Sequence, residues 1–351
     1  MLPHHVPHIS MLFWTWATFF IAAAISFLIQ VNLSGDTLTF SSFIKHCFPN
    51  EIWTRKSAWI DIVMYFGSKL INKLPMSFEL ACTTGMSMLT IRSMNLLMPH
   101  HVAFRVDYTS TILCSIVVFV VVDFSNYLTH YLQHFVPALW ELHKVHHSAT
   151  SLSPFTTERM HPFGNIFDSL VAAILVGIPV GMFGFLFNFD FANILLLLAN
   201  ANMIGTIIVL DALRHSHFPI SFGPLDRVLL SPHMHQLHHS YKVEHWDKNF
   251  GNKLSIWDWF FGTVVIPRKE EEVPVGLGKP EEQEYNQIFG VYIGPLIKIS
   301  RLVMGNVYTE KEQDKSFFAR VLWRSPRQSA ILQQQSTIAT VGAPTNDTMI
   351  L

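Results

Sequence analysis

Charged residues are scarce in this chain. Asp, Glu, Lys and Arg together make up 14% of its 351 residues, against about a quarter in ordinary soluble domains. So little charge argues against a conventional water-facing surface. The charges that exist nearly cancel, with a formal net charge of −1, which removes the electrostatic basis for binding nucleic acid. Cysteine is also rare. Cys47, Cys82 and Cys114 stand far apart and form no motif, which excludes a disulfide scaffold and fits a reducing compartment or plain buried thiols. No Lys or Arg precedes the apolar run Met11 to Val31. Ala22-Ala23-Ala24 looks like a cleavage site, but without a basic leader the run reads as an uncleaved anchor.

What is abundant is apolar. Hydrophobic residues account for 50% of the chain, with 29 Phe, and this places it among membrane proteins. Besides Met11 to Val31, the apolar runs are Thr109 to Val122, Phe163 to Leu186 and Phe191 to Leu213. The last two, joined by a turn at Asn188-Phe-Asp190, are each roughly the length of a bilayer crossing. An out-and-back excursion returns the chain to the side it left. Lys144, Arg159, Arg214, Lys242, Lys253 and Arg268 all flank that side, and the turn near Asp190 carries no Lys or Arg, so the positive-inside rule places it in the cytosol.

Ser34 to Arg55 reads as a polar connection. Residues 57–74, broken by Asp61, Lys69 and Lys73, and the Met-rich 77–98 fit either a tilted hairpin or helices lying in the interface. Ile256 to Ile266 is too short to span and its tryptophans suit the interface. From about Ser325 the Gln/Ser/Thr-rich tail reads as disordered. The expected fold is all-α, a polytopic membrane helical bundle with a cytosolic histidine-rich cap. Residues 1–104 form membrane anchor and interfacial helices, 105–266 the catalytic part, and 267–351 a cytosolic C-terminal region.

Histidine is the outlier, with 19 residues. His130 and His134 are spaced i, i+4. His143, His146 and His147 are spaced i, i+3, i+4, and so are His235, His238 and His239. On an α-helix these spacings put the rings on one side. Pro137, between the first two clusters, suits the first turn of a second helix. Eight imidazoles exceed the needs of one four-coordinate zinc. His161 and His215, at the same membrane surface, would bring the expected set to ten, best used by two metals with about five ligands each. Imidazole suits zinc, copper, iron and nickel alike. Such a site could bind and cleave dioxygen if its metal is redox-active, which means iron rather than zinc. Asp123, Glu158, Asp211 and Asp247 are near enough in sequence to accept from imidazole N–H groups. His217, His233 and His245 read as outer or surface residues, and Tyr127, Asn126 and Asn249 as site-lining or capping ones. His4, His5, His8, His46, His100 and His101 receive no role.

Two rival classes remain at this point. His233-Met-His235-Gln-Leu-His238-His239 loosely resembles the His-x-His-x-Asp-His run of metallo-β-lactamase-like zinc hydrolases, but the acid is missing and the spacing differs. A metal transporter or haem carrier would need polar groups or histidines at mid-membrane, and here the histidines cluster at span ends.

The three boxes, in this order, resemble the fatty acid hydroxylase superfamily, also called the sterol desaturase family. Their surroundings carry the likeness too: Asp123-Phe124-x-x-Tyr127, Leu142-His-Lys-Val-His-His-Ser148, Arg159-Met-His-Pro162, Ser231-Pro-x-Met-His-Gln-Leu-His-His-Ser240, Asp247-Lys-Asn-Phe-Gly251 and Ile256-Trp-Asp-x-x-Phe-Gly-Thr263. The resemblance covers about residues 45 to 266. It implies a membrane oxygenase with two histidine-held irons, using O2 and two electrons to hydroxylate or desaturate a lipid. Electrons would come from cytochrome b5 with its reductase or from a ferredoxin. No b5-like haem domain is visible in the sequence, so the donor is expected to be a separate protein. The location implied is the endoplasmic reticulum in a eukaryote or the inner membrane in a bacterium. His217 stands where related sequences often carry Asn.

Overall fold

The computed structural model describes residues 9–35, 37–71, 73–209, 213–268, 271, 273–278 and 281–304. The polar tail from Ser325, the N-terminal His4, His5 and His8, and Asp211 lie outside these residues. Among the described residues the regular elements are helical. Strand-like pairing among them is confined to the isolated bridges Leu229–Leu254 and Ser240–Val275.

Two long helices set the frame. Helix α6, Tyr108–Phe135, starts on a capping box in which Asp107 Oδ1 accepts from the Ser110 N–H at 2.7 Å and the Ser110 hydroxyl accepts from the Asp107 N–H. This satisfies two of the orphan groups that every helix start leaves. Helix α8, Pro162–Phe187, starts on Pro162 and ends at Asn188 in the left-handed conformation, φ 52°. Asp190 then caps the next helix, accepting from the Asn193 N–H at 2.8 Å. The expected turn at 188–190 is therefore a C-cap followed at once by an N-cap. These two helices are long and apolar enough to cross a bilayer, while the apolar stretches Phe19–Asn32 and Phe191–Gly205 are shorter.

The shorter stretches belong to α1 (Ile9–Ser34) and α9 (Phe191–Val209). Between α1 and α6 lie α2 (Phe40–Cys47), α3 (Asn50–Trp53), α4 (Lys56–Ile71) and α5 (Lys73–Leu97). The polar connection expected over 34–55 thus contains two short helices. The first of them is capped by Thr39, whose hydroxyl accepts from the Ser42 N–H. Helix α5 lies close against α8, and glycine makes the approach possible. A Cβ on Gly181 would stand 2.5 Å from Ser87 O and from Thr90 Cβ, and one on Gly177 2.7 Å from Met86 Cβ. Small residues at such a crossing let two backbones approach, the usual route to tight helix packing in lipid. Cys114, Val118 and Phe119 of α6, Val176 and Val180 of α8, and Ile194, Leu197 and Ala201 of α9 form one buried cluster.

The histidine-bearing end is closed by short elements: α7 (Pro137–His147), α10 (Pro232–His238), α11 (Ile256–Phe261), α12 (Ile288–Tyr292) and α13 (Gly294–Met304). Pro137 occupies the first turn of α7, where its missing N–H costs nothing. A second core joins Ile60 and Met64 of α4, Val145 of α7, Tyr285, and Val291 of α12. Through it runs Arg159, which is fully buried. Its Nη1 donates to Asp61 Oδ1 at 2.7 Å and its Nε to Val145 O at 2.9 Å. Its Nη2 donates to Ser148 Oγ at 2.8 Å and to Tyr285 O at 3.3 Å. One guanidinium thus ties α4 and the C-terminal segment to the end of α7. Helix α11 leaves Trp259, Phe260 and Phe261 largely uncovered, Phe260 at 80%, as an interfacial element would.

Candidate metal centre

Nine histidines converge at this end and sort into two groups. His130, His134, His143, His147 and His238 form the first, and His146, His215, His235 and His239 the second. Within each group the candidate ligand nitrogens lie within 4.8 Å of one another. The helical repeat explains the sorting. On α7, His143 and His147 are one turn apart and face the first group, while His146, about 100° round from His147, faces the second. On α10 and its C-cap the pattern reverses, with His235 and His239 in the second group and His238 in the first. Each His-x-x-His-His box therefore straddles both groups. Helix α6 completes the first and His215 the second.

The rings are sunk in protein, with His147 and His239 fully buried. His134 packs between Trp140 and Phe250, at ring-centroid distances of 5.0 and 4.9 Å. Burial pushes His146 down to about 3 and holds His147, His215, His235 and His239 well below the ordinary imidazole value, with neighbouring rings adding to the effect. These rings are therefore neutral, the form that ligates metal.

The nitrogens fit a cation better than they fit each other. His215 Nε2 lies 3.1 Å from His146 Nε2 and 2.9 Å from His235 Nε2, which is 3.1 Å from His239 Nε2. One proton cannot satisfy four converging lone pairs. Two nitrogens each bound at roughly 2.1 Å to one ion, at a right angle, would lie about 3.0 Å apart. His134 Nε2 and His147 Nε2 approach to 3.1 Å in the first group, and buried His130 Nε2 has no protein partner. The donor sets suit an ion such as zinc, copper, iron or nickel, and among the described residues no carboxylate joins either group.

The outer nitrogens are braced. His130 Nδ1 donates to Phe250 O at 2.8 Å and His238 Nδ1 to Lys248 O at 2.7 Å. His134 Nδ1 meets Asp247 Oδ1 at 3.2 Å, and His215 Nδ1 meets Thr157 Oγ1 at 3.1 Å. These contacts aim Nε2 inward, as outer partners of metal-binding histidines do. The 247–251 turn that supplies three of them holds Asp247 and Asn249 at φ 56°, a conformation that Asp and Asn tolerate. Asn249 pins it by donating to Met234 O and Val265 O, and Asp258 accepts from the Phe250 and Gly251 N–H groups at 2.8 Å.

Nine of the ten histidines expected as ligands are thus brought together, but His161 is not. It precedes a proline and takes extended backbone, ψ 134°, as that position requires. Its ring caps α8, with Nδ1 accepting from the Phe163 N–H and Nε2 donating to Tyr292 O at 2.9 Å. The expected two sets of five become five and four. Of the proposed acceptors, Asp247 meets a histidine. Asp123 instead braces the 253–257 loop, accepting from the Lys253 and Leu254 N–H groups and Trp257 Nε1. Glu158 accepts from the Ser68 hydroxyl. His217 turns away and donates to His46 O at 2.9 Å, His245 meets Glu271, and Tyr127 OH meets Thr263. Thr157 and the carbonyls of Lys248 and Phe250 were not anticipated. A backbone acceptor leaves no residue-type signal.

Residues 115–263 match the fatty acid hydroxylase family model. An ornithine lipid hydroxylase of Rhizobium tropici is 28% identical over 162 residues, 45% of this chain and 44% of that protein. An alkylglycerol monooxygenase of Caenorhabditis elegans is 28% identical over 171 residues, 48% of this chain and 30% of that protein. A Delta(7)-sterol 5(6)-desaturase of Eremothecium gossypii is 28% identical over 149 residues, 42% of this chain and 36% of that protein. The chain thus spans less than half the length of each of these relatives. No solved structure matches it. The family match runs from Ser115 on α6 to Thr263 just beyond α11 and encloses all nine converging histidines, so residues 115–263 are similar to a fatty acid hydroxylase domain.

Proposed function

We propose that this protein is a membrane-bound oxygenase that holds two irons and hydroxylates or desaturates a lipid, with O2 as co-substrate. The observation that carries the reading is the pair of buried all-imidazole groups, five and four, built from shared helices. Iron in such a site supplies reduction of dioxygen and attack on an unactivated C–H bond, chemistry that belongs to the metal and not to side chains. In hydroxylation, O2, two electrons and two protons convert one C–H bond to C–OH and release water. The protein's part is to hold and shield. His130, His134, His143, His147 and His238 would bind one ion, and His146, His215, His235 and His239 the other. Asp247, Thr157 and the Lys248 and Phe250 carbonyls fix ring orientation. Trp140 and Phe250 keep water off the first group.

The lipid and membrane assignments rest on the relatives' activities and on the two full-length apolar helices. We read the chain as multi-pass with the histidine end in the cytosol, on the flanking Lys and Arg. There a separate donor, cytochrome b5 with its reductase or a ferredoxin, would deliver electrons. Metal analysis of purified protein tests the core of this reading. About two irons per chain, one for each group, and O2 uptake under reduction are expected. Tightly held zinc with no reductant-dependent O2 uptake would overturn it. Lipid profiles of cells with and without the protein then read out the substrate.

A further inference from the structure

A cavity of about 900 Å³ lies behind the second histidine group. Its wall includes Ser216 and Gln236, which directly follow His215 and His235 in sequence, and His217 beside Ser216. Gln236 stiffens that wall by donating to Ser216 O and Phe218 O at 3.0 and 2.9 Å. Two residues of the lining each carry a buried polar atom without a protein partner, Ser151 Oγ and His217 Nδ1. Ser151 is only 5% exposed. A buried polar atom left this way has lost its bonds to water, and a bound group can replace them. The tautomer of His217 is fixed by its other nitrogen, because Nε2 gives its hydrogen to His46 O. Nδ1 is then a lone pair that calls for a donor. Glu282 adds a carboxylate to the lining, one oxygen of which accepts from the Gly278 N–H. Arg55 adds a cation, held by its bonds to Glu51 O and Thr150 O.

We propose that this cavity binds a zwitterionic headgroup carrying a primary ammonium and an anion. The ammonium meets His217 Nδ1 and the Glu282 carboxylate, and the anion meets Arg55 and the Ser151 hydroxyl. The identification of this headgroup with that of the oxidised lipid rests on the lipid-oxygenase reading above. The wall shared with His215 and His235 would then set how far along the lipid the reactive carbon falls. A hydroxyl-only headgroup leaves Arg55 without a counter-charge, and an anionic one without a donor leaves His217 unsatisfied.

Titration calorimetry on the full chain in detergent tests this with short-chain phosphatidylethanolamine, phosphatidylglycerol and diacylglycerol, and with free phosphoethanolamine. Phosphatidylethanolamine is expected to bind at least tenfold more tightly than the other three. His217→Phe, which keeps a ring against Phe218, and Glu282→Gln should each erase that preference. Equal affinity for the three lipids, or a preference that survives both substitutions, would overturn the proposal. Free phosphoethanolamine binding as tightly as the lipid would overturn the headgroup assignment. The measurement needs no turnover, so the two readings fail separately. A lost preference beside intact iron content removes only the cavity proposal, and an intact preference beside absent iron removes only the oxygenase.

Discussion

Replacing Asp61 by Ala would leave the Arg159 guanidinium buried without its counter-charge. Both side chains are fully shielded from solvent, and the contact is 2.7 Å. Breaking a pair of this kind by removing one partner costs about 3–5 kcal/mol, because the remaining charge stays desolvated. Asp61 also accepts from the Thr156 hydroxyl at 2.6 Å, so the loss should fall in the upper part of that range. Against a total stability of roughly 5–15 kcal/mol, that is a large fraction. The damage should also be local. Arg159 holds Val145 O and Ser148 Oγ, the positions on either side of His146 and His147, and those two rings serve different groups. Asp61→Ala should therefore speed metal release from both groups under chelator challenge, alongside a lowered unfolding midpoint in detergent. Asp61→Leu combined with Arg159→Met, an apolar pair, should recover most of the midpoint without restoring metal retention. A loss below about 1 kcal/mol, within the range of an exposed pair, would refute the reasoning. So would metal release unchanged from the parent.

Other consequences are simpler. Asp247→Ala removes the carboxylate on His134 Nδ1 and should weaken metal binding about 10–100-fold with little change in helix content by circular dichroism. Gly181→Ala places a methyl where Ser87 O and Thr90 Cβ leave 2.5 Å. It should force α5 from α8 at a cost of about 1–3 kcal/mol, read from the unfolding midpoint. In the metal-free protein His146 stays neutral down to about 3 while folded, but the unfolded chain takes up its proton near 6.5. The unfolded state therefore binds more protons throughout that window, and stability falls as pH drops below 6.5, by about 1.4 kcal/mol from this ring by pH 5.5. An unfolding midpoint that is flat between pH 7.5 and 5.5 would contradict the burial of this group.

The convergence of the histidines was largely legible because imidazole spacing on a helix is a geometric statement. His130 and His134, and the two His-x-x-His-His boxes, needed only the helical repeat and a turn at Pro137 to be recognised as converging. His161 misled because nearness in sequence to a membrane surface says nothing about ring direction, and the proline after it turned the ring into a cap. The second role of each box, one ring to the other metal group, is encoded in the same i+3 position but becomes visible only when α7 and α10 face each other. The Arg159 clamp was illegible for a different reason. Asp61 and Tyr285 lie far from Arg159 in the chain, and nothing local in the sequence pairs them. The all-helical architecture around the site was legible in outline. Of the expected crossings, 163–186 reappears as a helix of spanning length, whereas the runs at 11–31 and 191–213 hold shorter apolar stretches; the α5–α8 contact depended on where Gly177 and Gly181 happened to meet Thr83, Met86 and Ser87.

Because His146 and His147 are successive residues aimed at different groups, the two histidine groups share a single rigid lever. Turning α7 about its axis cannot improve one without spoiling the other, and α10 opposes it with the mirror-image assignment. The spacing of the two histidine groups is therefore dictated by the pitch of the two helices, and a change in the setting of either helix reaches both groups.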